Sequence, residues 1–203
     1  MNNDKGKLNE ITLGVRRSAP KNFISSNLFV GSSACLSEDG THRYQLERIW
    51  DEAKPIVMFV MLNPSTADWK ENDPTIRRCL GFAKRWGFGG LLVGNLFSFR
   101  STNPKELLEQ EKLIIWMNIQ HLKEMSERSK LIVYAWGNSS IVKKLEKRFP
   151  DYKPLSEIVG EPHYIELCQD GTPKHPLYLR SDLSHHKYEV KNVQGVHDFA
   201  TER

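Results

Sequence analysis

Apolar and amphipathic stretches alternate along the chain, and this pattern predicts strands that alternate with helices. The segment "IVMFVML" at 56–62 is apolar throughout, which is typical of a strand covered on both faces of a sheet. Other predicted strands are "YQLERIW" (44–50), "GLLVGNL" (90–96), "LIVYAW" (131–136) and "HYIELC" (163–168). Covered strands separated by helices favour a parallel sheet, because parallel neighbours need a long crossover connection.

The clearest predicted helix follows the strand at 56–62. In "NDPTIRRCLGFAKRWG", Asp73 is placed to cap the helix, Pro74 to fill its first position and Gly87 to end it. Two further segments, 104–127 and 138–149, are predicted to be mostly helical.

Together these elements predict an α/β fold. We expect a single domain at 26–203, built on a doubly wound, mainly parallel sheet of about four core strands with helices on both faces. Residues 1–25 are polar and are expected to form an irregular N-terminal arm.

Composition narrows the class of protein. The 203 residues are 39% hydrophobic and 27% charged, as in one globular domain with its own core. No apolar run approaches the ~20 residues of a membrane span, and the start lacks a signal-peptide pattern, so we expect a cytoplasmic monomer without a membrane partner. The three cysteines are too few and too scattered for an iron–sulfur cluster or a zinc site, so they are expected to be buried thiols. No metal and no other cofactor is predicted.

Positive charge gathers in one part of the chain. The net charge is only +4, but the charged residues within 70–105 are mostly basic and include Arg77, Arg78 and Arg100. These arginines are candidate contacts with nucleic-acid phosphates. The alternative is that they are ordinary exposed charges on a helix and a loop.

Polar side chains follow the predicted parallel strands where each strand ends. Asn63, Asn95, Asn138 and His175 occupy these positions, and the carboxyl ends of parallel strands meet at one edge of a sheet. We therefore expect them to converge on a ligand site. Asn63 is alternatively a plain turn residue, and His175 alternatively fixes its own proline-rich loop.

The order of these motifs resembles that of the uracil-DNA glycosylase superfamily. That superfamily keeps an Asp- or Asn-Pro loop, "LLLN", "LWG" and "HPSPL", and the counterparts here are "LNPS", "LLVGN", "YAWGN" and "HPLYL". Over roughly 43–180 the chain also resembles an uncharacterised bacterial and phage domain family with the motifs "LNPSTAD", "DPTIRR", "NLFSFR" and "HPLYL".

The resemblance implies a monofunctional DNA glycosylase. Such an enzyme hydrolyses the N-glycosidic bond of a base flipped from duplex DNA or presented in a single strand, and leaves an abasic site. Asn63 is then the group that positions water, and His175 is the donor to the base oxygen that gains charge. Asn95 reads the polar edge of a pyrimidine.

Five further residues receive places in the site from the resemblance. Leu179 is the wedge that enters the base stack, and Phe82 stacks on the extruded base unless it belongs to the core. Pro64 and Ser65 shape the pocket beside the base. Uracil-specific members have Tyr at the position of Ser65, so the smaller side chain leaves room for a C5-modified or glucosylated cytosine of phage DNA. Asn138 is placed in the same pocket.

Two other functions remain open at this point. A non-catalytic module that recognises modified DNA is one, because Asn63 replaces the carboxylate of the uracil-specific members. A nucleoside N-glycosidase acting on small molecules is the other, since it needs the same amide and imidazole groups but no wedge. The repair of host DNA and defence against phage are both compatible with the glycosylase interpretation.

Overall fold

The structure of the protein is a computed structural model that describes residues 15–18, 29–110, 115–137 and 139–189. Within these residues, eight strands form one sheet. The strands are β1 (Val15–Ser18), β2 (Gly31–Ser37), β3 (Arg43–Ile49), β4 (Ile56–Met61), β5 (Gly90–Asn95), β6 (Leu131–Tyr134), β7 (Pro162–Tyr164) and β8 (His186–Lys187). The helices are α1 (Pro74–Arg85), α2 (Ile115–Glu127) and α3 (Ser139–Arg148), with short 3-10 helices at Pro104–Glu109 and Pro176–Tyr178.

The strand order is β1-β2-β3-β5-β4-β6-β7-β8. The four central strands, β5, β4, β6 and β7, are parallel, which confirms the predicted parallel core. Antiparallel strands extend this core on both sides, β3, β2 and β1 beyond β5 and β8 beyond β7, so the parallel part is half of the sheet. Within the predicted arm, the four described residues form β1 at one edge of the sheet.

The position of β4 explains its unbroken apolar sequence. On one face, Phe59 packs with α1 residues such as Ile76. On the other face, Val60 packs with residues of α2 and α3 such as Leu122 and Leu145. The predicted helices on both faces are therefore confirmed. The chain leaves β4 for β5 on one side and later returns to β6 on the other, which places a topological switch point at the carboxyl end of β4.

Helix α1 begins and ends as its sequence predicts. Asp73 is the N-cap, and its carboxylate accepts a hydrogen bond from the backbone N–H of Ile76 at 2.8 Å. Pro74 fills the first helical position. Gly87, with φ of +84°, follows the last turn in the left-handed conformation that glycine adopts most easily. No helix within the described ranges has both the length and the apolarity needed to cross a membrane.

Two buried arginines of β3 hold the loop between β4 and α1. The Arg43 guanidinium donates to the carbonyl oxygen of Ala67 at 2.6 Å. Arg48 donates to the side chain of Asn72 at 2.9 Å and to the carbonyl oxygen of Asp68. Burial lowers the pKa of both arginines to about 10, so both are charged at neutral pH. The backbone carbonyls of this loop therefore solvate two positive charges inside the protein.

Replacing Arg48 with methionine tests this anchoring. Arg48→Met leaves the Asp68 carbonyl and the Asn72 amide without their buried donor, so we expect the free energy of unfolding to fall by about 2–4 kcal/mol in urea titrations. The control Lys147→Met changes an exposed side chain of α3 and is expected to stay within about 0.5 kcal/mol of the wild type. Equal losses in both variants would contradict the anchoring role.

Candidate functional site

A cleft of about 740 Å³ opens at the carboxyl ends of the central parallel strands. Its walls come from the ends of β4, β5 and β6 and from the segment after β7, which is where a doubly wound sheet places its ligands. Five residues predicted from the sequence line it: Asn63, Ser65, Asn95, His175 and Leu179. The structure therefore brings together residues that are more than a hundred positions apart in the chain.

Asn63 presents a hydrogen-bond acceptor to this cleft. Its amide nitrogen donates to the carbonyl oxygens of Pro64 at 3.1 Å and Ser101 at 2.8 Å. Because both amide protons are used, Oδ1 is the polar atom left to bind a water molecule or a ligand. Pro64 itself is buried behind the cleft, where its carbonyl also accepts from the Ser101 N–H at 2.9 Å. Pro64 thus shapes the loop and does not line the cleft, contrary to the prediction.

Asn95 contributes an unpaired donor. The residue is 1% exposed at the end of β5, and its Nδ2 has no hydrogen-bond partner in the described structure. Its backbone carbonyl, by contrast, accepts from Asn118 at 2.9 Å. An unpaired buried amide costs about 1–3 kcal/mol. A ligand acceptor atom in the cleft would satisfy it.

Two other residues that line the cleft also have a buried hydrogen-bond donor without a partner in the described structure. The indole Nε1 of Trp136 and the Nε of Arg43 are buried donors without a partner among the described residues. Neither residue is among the ligand contacts predicted from the sequence. The signal for Trp136 is its position at the carboxyl end of the predicted strand "LIVYAW". Asn95, Trp136 and Arg43 thus all line the cleft, and each has an unpaired nitrogen that is itself buried.

His175 is held as a neutral donor. The backbone N–H of Leu177 donates to Nδ1 at 3.3 Å, so the proton of the neutral ring is on Nε2. Burial lowers the pKa of His175 below its usual value, and the negative charge of Asp73 opposes this effect only in part. The hydrogen bond to Leu177 also shows that His175 fixes its own loop, so the two roles predicted as alternatives are compatible.

Gly137 allows the end of β6 to approach His175 closely. Its φ is +59°, and a Cβ atom at this position would lie 2.9 Å from the Cβ of His175. Its N–H also donates to the carbonyl oxygen of Pro173 at 2.9 Å. A larger residue would therefore displace the histidine loop. Asn138, predicted to join this pocket, lies outside the described residues.

The predicted wedge is corrected by the structure. Leu179 lies at the cleft but is only 5% exposed and packs in the core cluster on the α1 face, so it cannot enter a base stack. Its neighbour Tyr178 is 85% exposed, also lines the cleft, and has its ring centroid 6.0 Å from that of His175. Both residues belong to "HPLYL", and only the orientation of the short 3-10 helix distinguishes them.

Other predicted residues lie away from the cleft. Phe82 is 1% exposed and its ring packs tilted against that of Trp86, so it takes the core position that the sequence offered as the alternative to a contact with a base. Arg78 lies over the Phe82 ring and donates to the Pro176 carbonyl at 3.4 Å, which connects α1 to the 3-10 helix. Arg100 donates to the Gly40 carbonyl at 3.1 Å. Arg77 is exposed on α1.

The cysteines and possible metal ligands add little to the site. Cys35 and Cys79 are buried thiols as predicted, whereas Cys168 is partly exposed and lines the cleft. Across the parts of the chain that the structure describes, no three His, Cys, Asp or Glu residues are grouped to hold a metal ion.

The fold defines an α/β protein with a cleft at the carboxyl edge of its parallel strands. The model of the family described as "protein of unknown function (DUF1643)" matches residues 43–177. The chain therefore belongs to the DUF1643 family. The matched range extends from β3 to the 3-10 helix after His175 and includes the polar residues of the cleft described above. No curated protein and no solved structure matched the chain.

A pair of buried asparagines provides a test of the unpaired donor. Asn95→Leu removes an amide without a partner, so we expect the free energy of unfolding to rise by about 1–3 kcal/mol in urea titrations. Asn118→Leu is the matched control, because the two amide protons of Asn118 bind the Asn95 carbonyl and the Tyr152 hydroxyl, both at 2.9 Å. That variant is expected to be less stable than the wild type. Similar losses in both would show that Asn95 has a structural partner.

Proposed function

We propose that the protein is a monofunctional DNA glycosylase of the uracil-DNA glycosylase superfamily, acting on a modified pyrimidine. The observation that carries this proposal is the convergence of an acceptor, Asn63, with two donors, Asn95 and His175, in one cleft. These are the group types that water activation and base departure require. The parallel core of the sheet, with its switch point at β4, is compatible with a glycosylase fold of this superfamily.

The unpaired donors suit the charge that develops in this reaction. When the N-glycosidic bond breaks, its electron pair moves onto the base, and a base oxygen gains negative charge. The Nε2–H of His175 and the Nδ2 of Asn95 are donors that would strengthen their hydrogen bonds at that moment. Because His175 is neutral, it donates without first needing a proton from solution.

Size and polarity of the cleft support a pyrimidine with a substituent. Its volume of about 740 Å³ lies in the range typical of small-molecule sites. Ser65 lines it with a small side chain and leaves space beside the base. The Asn95 amide can offer its oxygen and nitrogen to cytosine or to uracil. A C5-modified or glucosylated cytosine of phage DNA is the substrate class that we propose.

The contact with DNA is assigned to the rim of the cleft. Tyr178 is the exposed aromatic group beside His175, so it replaces Leu179 as the side chain that would fill the space of a flipped base. Arg180 is exposed at the same rim and would reach a phosphate once its side chain leaves the ion pair with Asp182. Arg77 is exposed on α1 and would do so in place of its hydrogen bond to the Asn72 carbonyl.

The ion pair of Lys174 argues against strand cleavage by this protein. Lys174 lines the cleft, but its amine pairs with the Glu166 carboxylate, and this hydrogen bond raises the pKa of Lys174. A protonated amine is not a nucleophile, so no covalent imine with the sugar is expected. The proposed product is an abasic site without a strand break.

A second candidate is a recognition module for modified DNA without catalysis. The specific observation in its favour is that both amide protons of Asn63 bind backbone carbonyls. A carboxylate at this position would face the same two carbonyl oxygens without a proton to share, so the loop is built for an amide and not for a carboxylate base.

Abasic-site formation on a panel of DNAs tests the function directly. The panel contains cytosine, uracil, C5-modified cytosines and glucosylated phage DNA, with a free nucleoside as a further substrate. We expect product from one modified DNA, with the rate falling about 10²–10³-fold in His175→Ala and also falling strongly in Asn63→Ala. Lys147→Ala is the control and is expected to act as the wild type.

Two other outcomes of this experiment would support the recognition module or the small-molecule N-glycosidase instead. Intact DNA together with measurable binding would overturn the glycosylase proposal in favour of the recognition module. Cleavage of the free nucleoside alone would identify a small-molecule N-glycosidase.

A separate prediction concerns Tyr178. Tyr178→Ala is expected to slow the reaction on duplex DNA by about tenfold more than on a single strand, because only the duplex needs a side chain to fill the vacated stack. The control is Val159→Ala, which removes an exposed apolar side chain that does not line the cleft. Equal slowing on both DNA forms would exclude the wedge role.

A further inference from the structure

We propose that Asp73, the N-cap of α1, is the carboxylate that accepts the proton of the attacking water. This inference rests on the proposed glycosylase function and adds a catalytic residue to it. Asp73 lines the same cleft as Asn63, Asn95 and His175. It supplies the carboxylate that the Asn-Pro loop lacks.

The two oxygens of Asp73 have different surroundings. Oδ1 accepts the backbone N–H of Ile76 at 2.8 Å, and this bond fixes the side chain at the start of the helix. For Oδ2, the described residues provide no hydrogen-bond partner. One oxygen therefore holds the carboxylate in place, and the other is available to a water molecule in the cleft.

The other carboxylates near the cleft are engaged elsewhere. Glu166 lines the cleft but pairs with Lys174. Asp68 belongs to the same loop as Asn63, yet its carboxylate accepts the N–H groups of Lys70 at 2.7 Å and Glu71 at 2.8 Å and does not line the cleft. Asp73 is thus the lining carboxylate that is not neutralised by a lysine.

Charged and titratable groups face Asp73 from three directions. Arg43 and Arg48 come from β3, Cys79 comes from α1 itself, and His175 comes from the loop after β7. The two arginines bring positive charge towards the Asp73 carboxylate. Its negative charge would in turn stabilise the positive charge that grows on the sugar as the base departs.

The proposed step is balanced as a hydrolysis. The water oxygen forms a bond to the anomeric carbon while the bond from that carbon to the base nitrogen breaks. The electron pair of the broken bond leaves with the base, whose charged oxygen binds His175 and Asn95. The proton from the water goes to Asp73, which later releases it to solvent, and the departed base takes up a proton from solvent. Asn63 Oδ1 orients the same water.

The test separates the charge of Asp73 from its capping role. Asparagine caps helices about as well as aspartate, so Asp73→Asn keeps the bond to the Ile76 N–H and removes only the carboxylate. On the DNA that the wild type cleaves, we expect kcat to fall about 10²–10⁴-fold with little change in KM. The acid limb of the pH profile of kcat/KM should disappear with it. Asp68→Asn, in the same loop, is the matched control and should keep both the rate and the acid limb.

A second variant distinguishes the loss of the carboxylate from a loss of folding. Asp73→Ser also keeps a capping oxygen but leaves space for a small carboxylate. We expect added formate to restore part of the rate in this variant and to leave the wild type unchanged. Circular dichroism melting of each variant shows whether the fold is retained.

The outcomes distinguish this inference from the proposed function. A wild type without product on any DNA overturns both. An active wild type, together with an Asp73→Asn variant that keeps its rate and its acid limb, overturns the role of Asp73 alone. A third outcome would also overturn the catalytic role of Asp73. In it, the Asp73 variants melt at a lower temperature and lose rate in proportion, while the pH profile is unchanged and formate restores nothing. Asp73 would then serve only as the helix cap and as a balance for the charge of Arg43.

Discussion

Two arginines of β3 bring positive charge into the interior, and the loop between β4 and α1 is arranged around them. Arg43 and Arg48 are 2% and 1% exposed, so their charges must be solvated by protein groups. The carbonyl oxygens of Ala67 and Asp68 provide part of this solvation in the observed conformation of the loop. Asn63 and Asp73 lie at the two ends of that loop, so the position of both depends on these buried charges.

Some residues that line the cleft also lower the stability of the free protein. Unpaired donors on Asn95, Trp136 and Arg43 are each destabilising in the free protein, because water or protein acceptors would otherwise bind them. All three residues line one cleft, and the side chains of Asn63, Asp73 and His175 in the same cleft are held by hydrogen bonds to the backbone. Such a combination of rigid acceptors and unsatisfied donors is expected where a ligand completes the hydrogen bonding.

Much of the fold was predictable because it follows from local rules. The covered strand β4, the capped helix α1 and the parallel core depend on apolar periodicity and on residues such as Asp73, Pro74 and Gly87. The meeting of Asn63, Asn95 and His175 was predictable for a similar reason, since carboxyl ends of parallel strands share one edge. Strand β2 was missed because its sequence, "GSSACLS", contains small and polar residues that do not alternate clearly.

The sequence by itself determined the order of elements and the chemistry available at the strand ends. Only the tertiary structure decided which neighbour in a short helix faces the solvent: Tyr178 is exposed, whereas Leu179 belongs to the core. It also decided that Arg43 is buried, against the usual preference of arginine for the surface. The physical reason is that burial and side-chain direction arise from contacts between distant segments, which no local pattern of residues specifies.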